Sequence, residues 1–239
     1  MEKPTLVAQS KSALKQFALA LPRKCFLPQH RAVLRLLVTE IKISFYHRKG
    51  LARVRRMSAL PSNLNLGAGD LCKSGYLNID LFPGGDLTLD LRRGLPFKSD
   101  SCDTIFSEHF FEHLDYPTAI SRLLSECLRV LRPGGILSFS VPDTEWPLVD
   151  YQHGLQAPYF RACEEFRWHP DCTTRLEHIN YHFRQHGQHL FAYDEETARK
   201  LLQVVGFADI TKRQYQPGLD SERRRVASLF MSAQKPGGL

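Results

Sequence analysis

The chain has 239 residues, 43% of them hydrophobic and 24% charged, enough apolar material for one sizeable folded domain with an arm or insertion and too much for intrinsic disorder. No apolar run approaches 18 residues, and Lys11 and Lys15 interrupt the first 20, so neither a membrane-spanning helix nor a secretory signal is expected. The net charge of +7 is uneven: residues 1–60 hold 13 Lys/Arg against 2 Glu, a net +11, while residues 61–239 hold 19 against 23 acids, a net −4.

Residues 1–60 therefore read as a basic helical arm. "SALKQFALAL" and "HRAVLRLLVTEIKISFYHRK" interleave apolar and basic residues at helical spacing. Pro22 and Pro28 separate the two segments and Gly50 follows the second. Such an arm can bind phosphates on lipid headgroups or nucleic acid. A solvated basic face and an organelle transit peptide are the alternative readings. The six cysteines, Cys25, Cys72, Cys102, Cys127, Cys163 and Cys172, form no C-x-x-C pair. In a chain this long they read as reduced, mostly buried thiols of a cytoplasmic protein.

From residue 62 short apolar runs alternate with helical stretches. "NLNL" (63–66) is predicted as a strand that ends in the glycine-rich "GAG". "YLNIDL" (76–81), "LTLDL" (87–91) and "CDTIFS" (102–107) are the next three strands. The link between the first two leaves room only for a very short helix. A helix is expected from about Pro117 to Arg132, since Ile120, Leu123, Leu124, Cys127, Leu128 and Leu131 follow the i, i+3, i+4 rule. "RPGG" (132–135) would end it, and "ILSFSV" (136–141) is a fifth strand. A last helix over "DEETARKLLQVVGF" has Asp194 as its N-cap and Gly206 as its stop. "DITKRQY" and "VASLFMSAQ" supply two final strands.

This alternation implies a parallel sheet with helices on both faces. Ligands of such sheets sit beyond the carboxyl ends of the strands, where a polar, His-rich insertion after strand five (143–193) would form a roof. Gly67 and Gly69 allow the sharp turn and close approach that a ligand needs. Asp80, at the end of strand two, is placed to accept hydrogen bonds from two ribose hydroxyls.

The ordered segments "LNLGAGD", "LNIDL", "LDLRRGLPFKSDSCDTIFSEHFFEHL" and "RVLRPGGILSFSVPD" resemble the class I S-adenosylmethionine-dependent methyltransferases (type 11-like) over residues 62–143. They are similar in particular to a subgroup associated with glycan biosynthesis. The resemblance implies an α/β, Rossmann-like, doubly wound, seven-stranded, mostly parallel sheet. Residues 61–239 would be the methyltransferase domain and 143–193 its substrate lid. It implies S-adenosyl-L-methionine as cofactor, held by Gly67, Ala68, Gly69, Asp80, Leu81, Asp90, Leu91, Ser107 and Glu108. Asp80 would meet the ribose, and Asp90 with Leu91 the adenine. Two positions depart from the family pattern: Asn65 stands for the usual acid and Leu71 for a small residue.

"SEHFFEHL" (107–114) contains H-x-x-E-H, the inverted zinc-peptidase pattern. It starts at a strand end inside a methyltransferase pattern, which argues against that chemistry. Ubiquinone-pathway and small-RNA 2′-O-methyltransferases carry E-x-x-E-H here with a divalent ion. Glu112 and His113 match, but His109 replaces the first Glu, so a metal is the less favoured alternative and no metal ligand is assigned. The favoured reading makes His109 the catalytic base that takes a hydroxyl proton. His113, Asp143, His189 and Tyr193 are the candidate substrate-binding residues, with lid docking the alternative for the last two and helix packing for His113. His178, His182 and His186 are spaced to share one helical face. Cys172 is the only soft ligand nearby in sequence, so a substrate-facing helix is expected there rather than a metal site.

The expected activity is O-methylation of a sugar, glycan or small-molecule hydroxyl by direct transfer. The arm would make a peripheral contact with anionic membrane. An RNA methyltransferase using the arm on phosphates is the runner-up, disfavoured because no basic, aromatic-lined groove is evident. A catalytically inactive methyltransferase-like binding protein is the third reading. The sequence leaves the oligomeric state open.

Overall fold

The computed structural model describes residues 28–58 and 62–237. The predicted helix "SALKQFALAL" lies outside them. The chain divides into two compact units, residues 1–44 and 45–239, and the division falls inside helix α1 (Pro28–Val54). In the first unit α1 exposes Val33, Leu36, Leu37 and Ile41 alongside Arg35 and Lys42.

The second unit is built on seven strands: β1 (Asn63–Leu66), β2 (Leu77–Asp80), β3 (Leu87–Thr88), β4 (Cys102–Glu108), β5 (Leu131–Pro142), β6 (Ala208–Lys212) and β7 (Ser228–Gln234). They form one sheet in the order β3-β2-β1-β4-β5-β7-β6. The pairs among β1 to β5 are parallel, and β7 lies antiparallel to both β5 and β6. This is the Rossmann-like α/β architecture expected. Helix α2 (Thr118–Val130) buries Ile120, Leu123, Leu124 and Cys127 of the predicted stripe together with Val130, while Leu128 is half-buried and Leu131 already opens β5, so the helix stops two residues before Arg132. Helix α6 (Glu195–Val205) starts where Asp194 accepts from the Thr197 N–H at 2.8 Å and stops at Gly206, which is left-handed.

Four local expectations change. Helix α1 does not end at Gly50 but runs to Val54; a Cβ at Gly50 would strike the Thr88 carbonyl, so the glycine lets the helix lie against β3. Strand β3 stops at Thr88, because Asp90 caps a 3₁₀ turn over Leu91–Arg93. "RPGG" does not separate helix from strand. It lies within β5 as a bulge, since Cys102 pairs with Leu131 while Thr104 pairs with Ile136. Between β1 and β2 there is no helix, only turns.

The insertion folds as α3 (Glu145–Asp150), α4 (Pro158–Glu165) and α5 (Arg175–Arg184). It has its own small core of Ala157, Tyr159, Phe160, Cys163 and Ile179, packed by Trp146, Trp168 and Phe183. His178 and His182 share α5, but His186 lies past its end in a left-handed kink (φ 56°), so the three do not share one face.

Candidate active site

Parallel strands end with their carboxyl termini on one side, which gathers the ends of β1, β2 and β4 at one crevice. Gly67 (φ 68°) and Gly69 (φ 52°) turn the chain at the end of β1. A Cβ at Gly67 would collide with the Phe110 ring, whereas space around Gly69 is open. Asp80 Oδ2 accepts from the Gly69 N–H at 2.8 Å, and its Oδ1 accepts from the Phe82 N–H at 3.0 Å. The Ala68 N–H donates to the Ile79 carbonyl at 3.0 Å. These bonds close the glycine turn onto the end of β2.

The remaining expected cofactor contacts fall differently. Ser107 is buried and donates to the Leu66 carbonyl at 3.1 Å. Glu108 accepts the Ser221 N–H through Oε1 at 3.0 Å, while its Oε2 is buried with no hydrogen-bond partner. Leu81 follows β2 half-buried beside Asp80, and Leu91 is buried in the main core. Asp90 is not a free carboxylate for an adenine. It accepts from Arg92 N, Nε and Nη2 and from Arg93 Nε, and these guanidinium groups outweigh its burial and lower its carboxyl. Asn65 does not face a ligand either, since its amide is spent on Leu71 and Asn78.

The linker between β6 and β7 crosses this crevice. Arg223 forms a two-pronged pair with Asp70 at 2.6 and 3.1 Å, and Lys73 Nζ donates to the Leu219 carbonyl. Arg213 and Asp220 hold the linker from below through bonds of 2.6 and 2.7 Å, both side chains nearly or wholly buried.

Next to the crevice is a cavity of about 370 Å³. The end of β4 contributes His109, Glu112 and His113, the insertion His182 and His189, and the linker Arg224. His109 sits at φ 49°, a backbone that non-glycine residues adopt at a cost of about 1 kcal/mol. Both of its ring nitrogens face protein groups: Nε2 is 2.7 Å from Ser228 Oγ and Nδ1 is 3.5 Å from Glu112 Oε1. His113 and His189 differ. Each places Nδ1 2.9 Å from a backbone carbonyl, of Gln188 and His182 respectively. A carbonyl only accepts, so each Nδ1 carries the proton and each Nε2 presents a lone pair. Their ring centroids are 5.1 Å apart. Of the candidate substrate residues, His113 and His189 line the cavity, and Asp143 and Tyr193 do not. Tyr193 docks the lid: it is buried against Phe191 and Tyr116, and its carbonyl takes the Thr144 hydroxyl at 2.6 Å. Asp143 Oδ1 accepts the Glu145 N–H at 3.1 Å at the start of α3.

Burial sets the charges. It pushes the Glu112 carboxyl up to about 8, so Glu112 is protonated at neutral pH, and neither of its side-chain oxygens has a partner. Burial, with Arg224 next, holds the His109 imidazole well below its usual range, and burial takes His182 and His189 down to about 4. The close approach of His109 and Glu112 is therefore a contact between neutral groups, not an ion pair. Glu112, His113 and His189 bring ligand atoms within 4.8 Å of one another, a two-His, one-carboxylate set that can hold a divalent ion. Sequence reasoning missed Arg223, Arg224 and Ser228; the basic run "SERRR" (221–225) was the available signal.

Residues 77–139 match a protein-family model described as a methyltransferase domain. Among curated proteins, the chain is 34% identical over 116 residues to a malonyl-[acyl-carrier protein] O-methyltransferase of Methylococcus capsulatus. That match covers 38% of this chain and 41% of the relative, so the chain spans about two fifths of its length. Among solved structures, it is similar to phosphoethanolamine N-methyltransferase 2 of Haemonchus contortus in complex with S-adenosyl-L-methionine (15% identity, 79% of this chain, 52% of that chain, TM-score 0.44). It is also similar to a putative Haloferax volcanii methyltransferase in complex with the activator Trm112 (17% identity, 86% of this chain, 95% of that chain, TM-score 0.46).

Proposed function

We propose that the protein is an S-adenosylmethionine-dependent methyltransferase that methylates a hydroxyl of a sugar, glycan or other small molecule. The observation that carries this reading is the Gly67–Gly69 turn closed onto Asp80, which itself lies inside the 77–139 segment that matches a methyltransferase domain. Asp80 would accept the ribose hydroxyls. Glu108 Oε2, a buried acceptor without a donor, suits the ammonium of the cofactor's methionine part. Bound S-adenosylmethionine supplies an electrophilic methyl group on a sulfonium sulfur.

The chain's own contribution is alignment and proton removal. The acceptor would enter the cavity beside the crevice, with its hydroxyl against Nε2 of His113 or His189. A backbone carbonyl holds the proton on Nδ1 of each, leaving Nε2 free to take the hydroxyl proton. His109 becomes a positioning residue, engaged by Ser228 and Glu112. The exposed apolar residues of α1, with Arg35 and Lys42 among them, support a peripheral contact with anionic membrane. No helix among the described residues is long and apolar enough to cross a membrane.

Calorimetry with S-adenosylmethionine and its demethylated product tests the reading directly. Micromolar binding by the wild type is expected, and no binding would overturn it. With an acceptor in hand, His113→Ala or His189→Ala should lower kcat by about 10²–10⁴-fold while cofactor affinity is kept. Full turnover in both variants would remove these imidazoles as bases.

A further inference from the structure

The insertion holds a second cluster that the proposed methyl transfer does not use. Cys163 Sγ and ring nitrogens of His169 and His178 all lie within 4.8 Å of one another, and all three residues are buried. Cys163 is on α4, His178 is on α5, and His169 lies on the loop between them. These three and Cys172 line one cavity, distinct from the acceptor cavity, and the Cys172 N–H donates to the His169 carbonyl at 3.0 Å. The expectation that Cys172 is the only soft ligand near these histidines does not hold, because folding α4 against α5 brings Cys163 to them.

We propose that Cys163, His169, Cys172 and His178 form a zinc site that staples the insertion together. Two thiolates and two imidazoles are the donor set of closed, tetrahedral structural zinc centres. The spacing C-x₅-H-x₂-C-x₅-H places all four within 16 consecutive residues. The two imidazoles already stand close to what the ion demands, whereas Cys172 Sγ lies outside the 4.8 Å group and would turn in to complete the set. His169 Nδ1 and His178 Nδ1 are 3.2 Å apart. Two nitrogens at about 2.05 Å from a tetrahedral ion would be about 3.3 Å apart. The ligands are also held in place. Thr174 and Glu177 form a reciprocal capping box, and Glu177 Oε2 also takes the Thr173 N–H at 2.8 Å, which fixes the start of α5 and hence His178.

The site answers a structural need. The core of the insertion is five buried residues, too few for a segment of this length to hold its shape by apolar burial alone, and small folding units of this kind commonly add a metal. An ion joining α4, the loop and α5 would also hold His182, on the same helix as His178 and one turn further on, at the wall of the acceptor cavity. Binding would take two protons from the thiols, so affinity should fall as pH drops.

The test uses the full chain, purified under reducing conditions without added metal. Elemental analysis should find one zinc per chain, and a chelator should lower Tm, with zinc restoring it. Replacing zinc by cobalt should give a thiolate-to-cobalt charge-transfer band and the visible bands of a tetrahedral ion. Cys163→Ser and Cys172→Ser should each weaken the charge-transfer band, while His113→Ala, in the neighbouring two-His, one-carboxylate set, should leave it unchanged. Absence of zinc, with no cobalt spectrum on titration, would overturn the proposal and leave the two imidazoles as a simple hydrogen-bonded pair. Zinc that survives in Cys163→Ser but is lost in His113→Ala would place the ion at Glu112, His113 and His189 and equally overturn it. An unchanged cobalt spectrum in Cys172→Ser would remove Cys172 as the fourth ligand.

Discussion

The Asn65 side chain donates to the Asn78 side chain, Nδ2 to Oδ1, at 2.9 Å, with both residues buried. The direction of this bond is fixed by its surroundings. Asn78 spends its amide hydrogens on Lys73 O, Tyr76 O and Asp86 Oδ2, and its Oδ1 also takes the Lys73 N–H at 2.7 Å. The second Asn65 hydrogen goes to the Leu71 carbonyl at 3.0 Å. Asn65 thus faces two acceptors and must be a donor. The pair ties the glycine turn to β2 in place of the missing helix, which also accommodates Leu71 where a small residue is usual.

Asn65→Asp, which restores the residue type usual at this position in the resembled family, should therefore destabilise the protein. A carboxylate would face Leu71 O and Asn78 Oδ1 with no donor. Two lost bonds and a buried, unsatisfied charge should cost about 2–3 kcal/mol. Urea unfolding of wild type and variant measures it. An equal or higher midpoint in Asn65→Asp would mean that the Asn65 site prefers an acid after all.

Asp80→Ala should weaken S-adenosylmethionine binding by about 10–100-fold, the loss of one or two hydrogen bonds to a charged acceptor. Asp80→Asn keeps an acceptor for the Gly69 N–H and should fall in between. Titration calorimetry of the three proteins checks the order. Equal affinities would detach the ribose role from Asp80.

Much of the sheet was legible because buried parallel strands announce themselves as short apolar runs, and Leu64, Leu66, Ile79, Ile105, Leu137 and Val141 are indeed the core. The helix spacing from Ile120 and the caps at Asp194 and Gly206 were equally local signals. What the sequence concealed depends on contacts distant along the chain. Nothing near Gly50 indicates that Thr88 will lie against it, nor near Cys163 that α5 will bring His178 beside it. Asp90 shows the converse failure: two adjacent arginines, plain in the sequence, take the carboxylate that the resemblance offered to a cofactor.

Asp220→Ala should lower Tm sharply. Asp220 is fully buried and accepts from both Arg213 terminal nitrogens and from the Gln216 N–H at 2.8 Å. Removing it leaves a guanidinium almost without solvent, with Ser138 Oγ at 2.9 Å and the Gln214 carbonyl as its other acceptors, and such losses cost about 3–5 kcal/mol. The same change frees the linker that carries Ser221 and Arg223 across the crevice, so cofactor affinity should drop too. By contrast, Arg223→Ala breaks an exposed pair with Asp70 and should change stability by less than about 1 kcal/mol while speeding cofactor exchange. Thermal melts and stopped-flow exchange separate the two effects.

Glu112 makes the stability depend on pH in a direction that can be worked out. Its folded carboxyl is pushed up to about 8 by burial, against 4.5 in the unfolded chain. Below pH 4.5 both states hold the proton and Glu112 contributes no slope. Between 4.5 and 8 only the folded state holds it, so stability falls as pH rises through that window and the full penalty is present above 8. Glu112→Gln keeps the shape and removes the titration. The variant should match the wild type near pH 4 and exceed it by a few kcal/mol at pH 8. His109 acts with the opposite sign: its folded value lies below 6.5, so it destabilises the fold as pH drops beneath that point. The Glu112→Gln curve should therefore keep the acid-side decline and lose the alkaline one. Urea unfolding at pH 5, 6.5 and 8 resolves the two, and a Glu112→Gln curve parallel to the wild type would show Glu112 to be ionised in the fold.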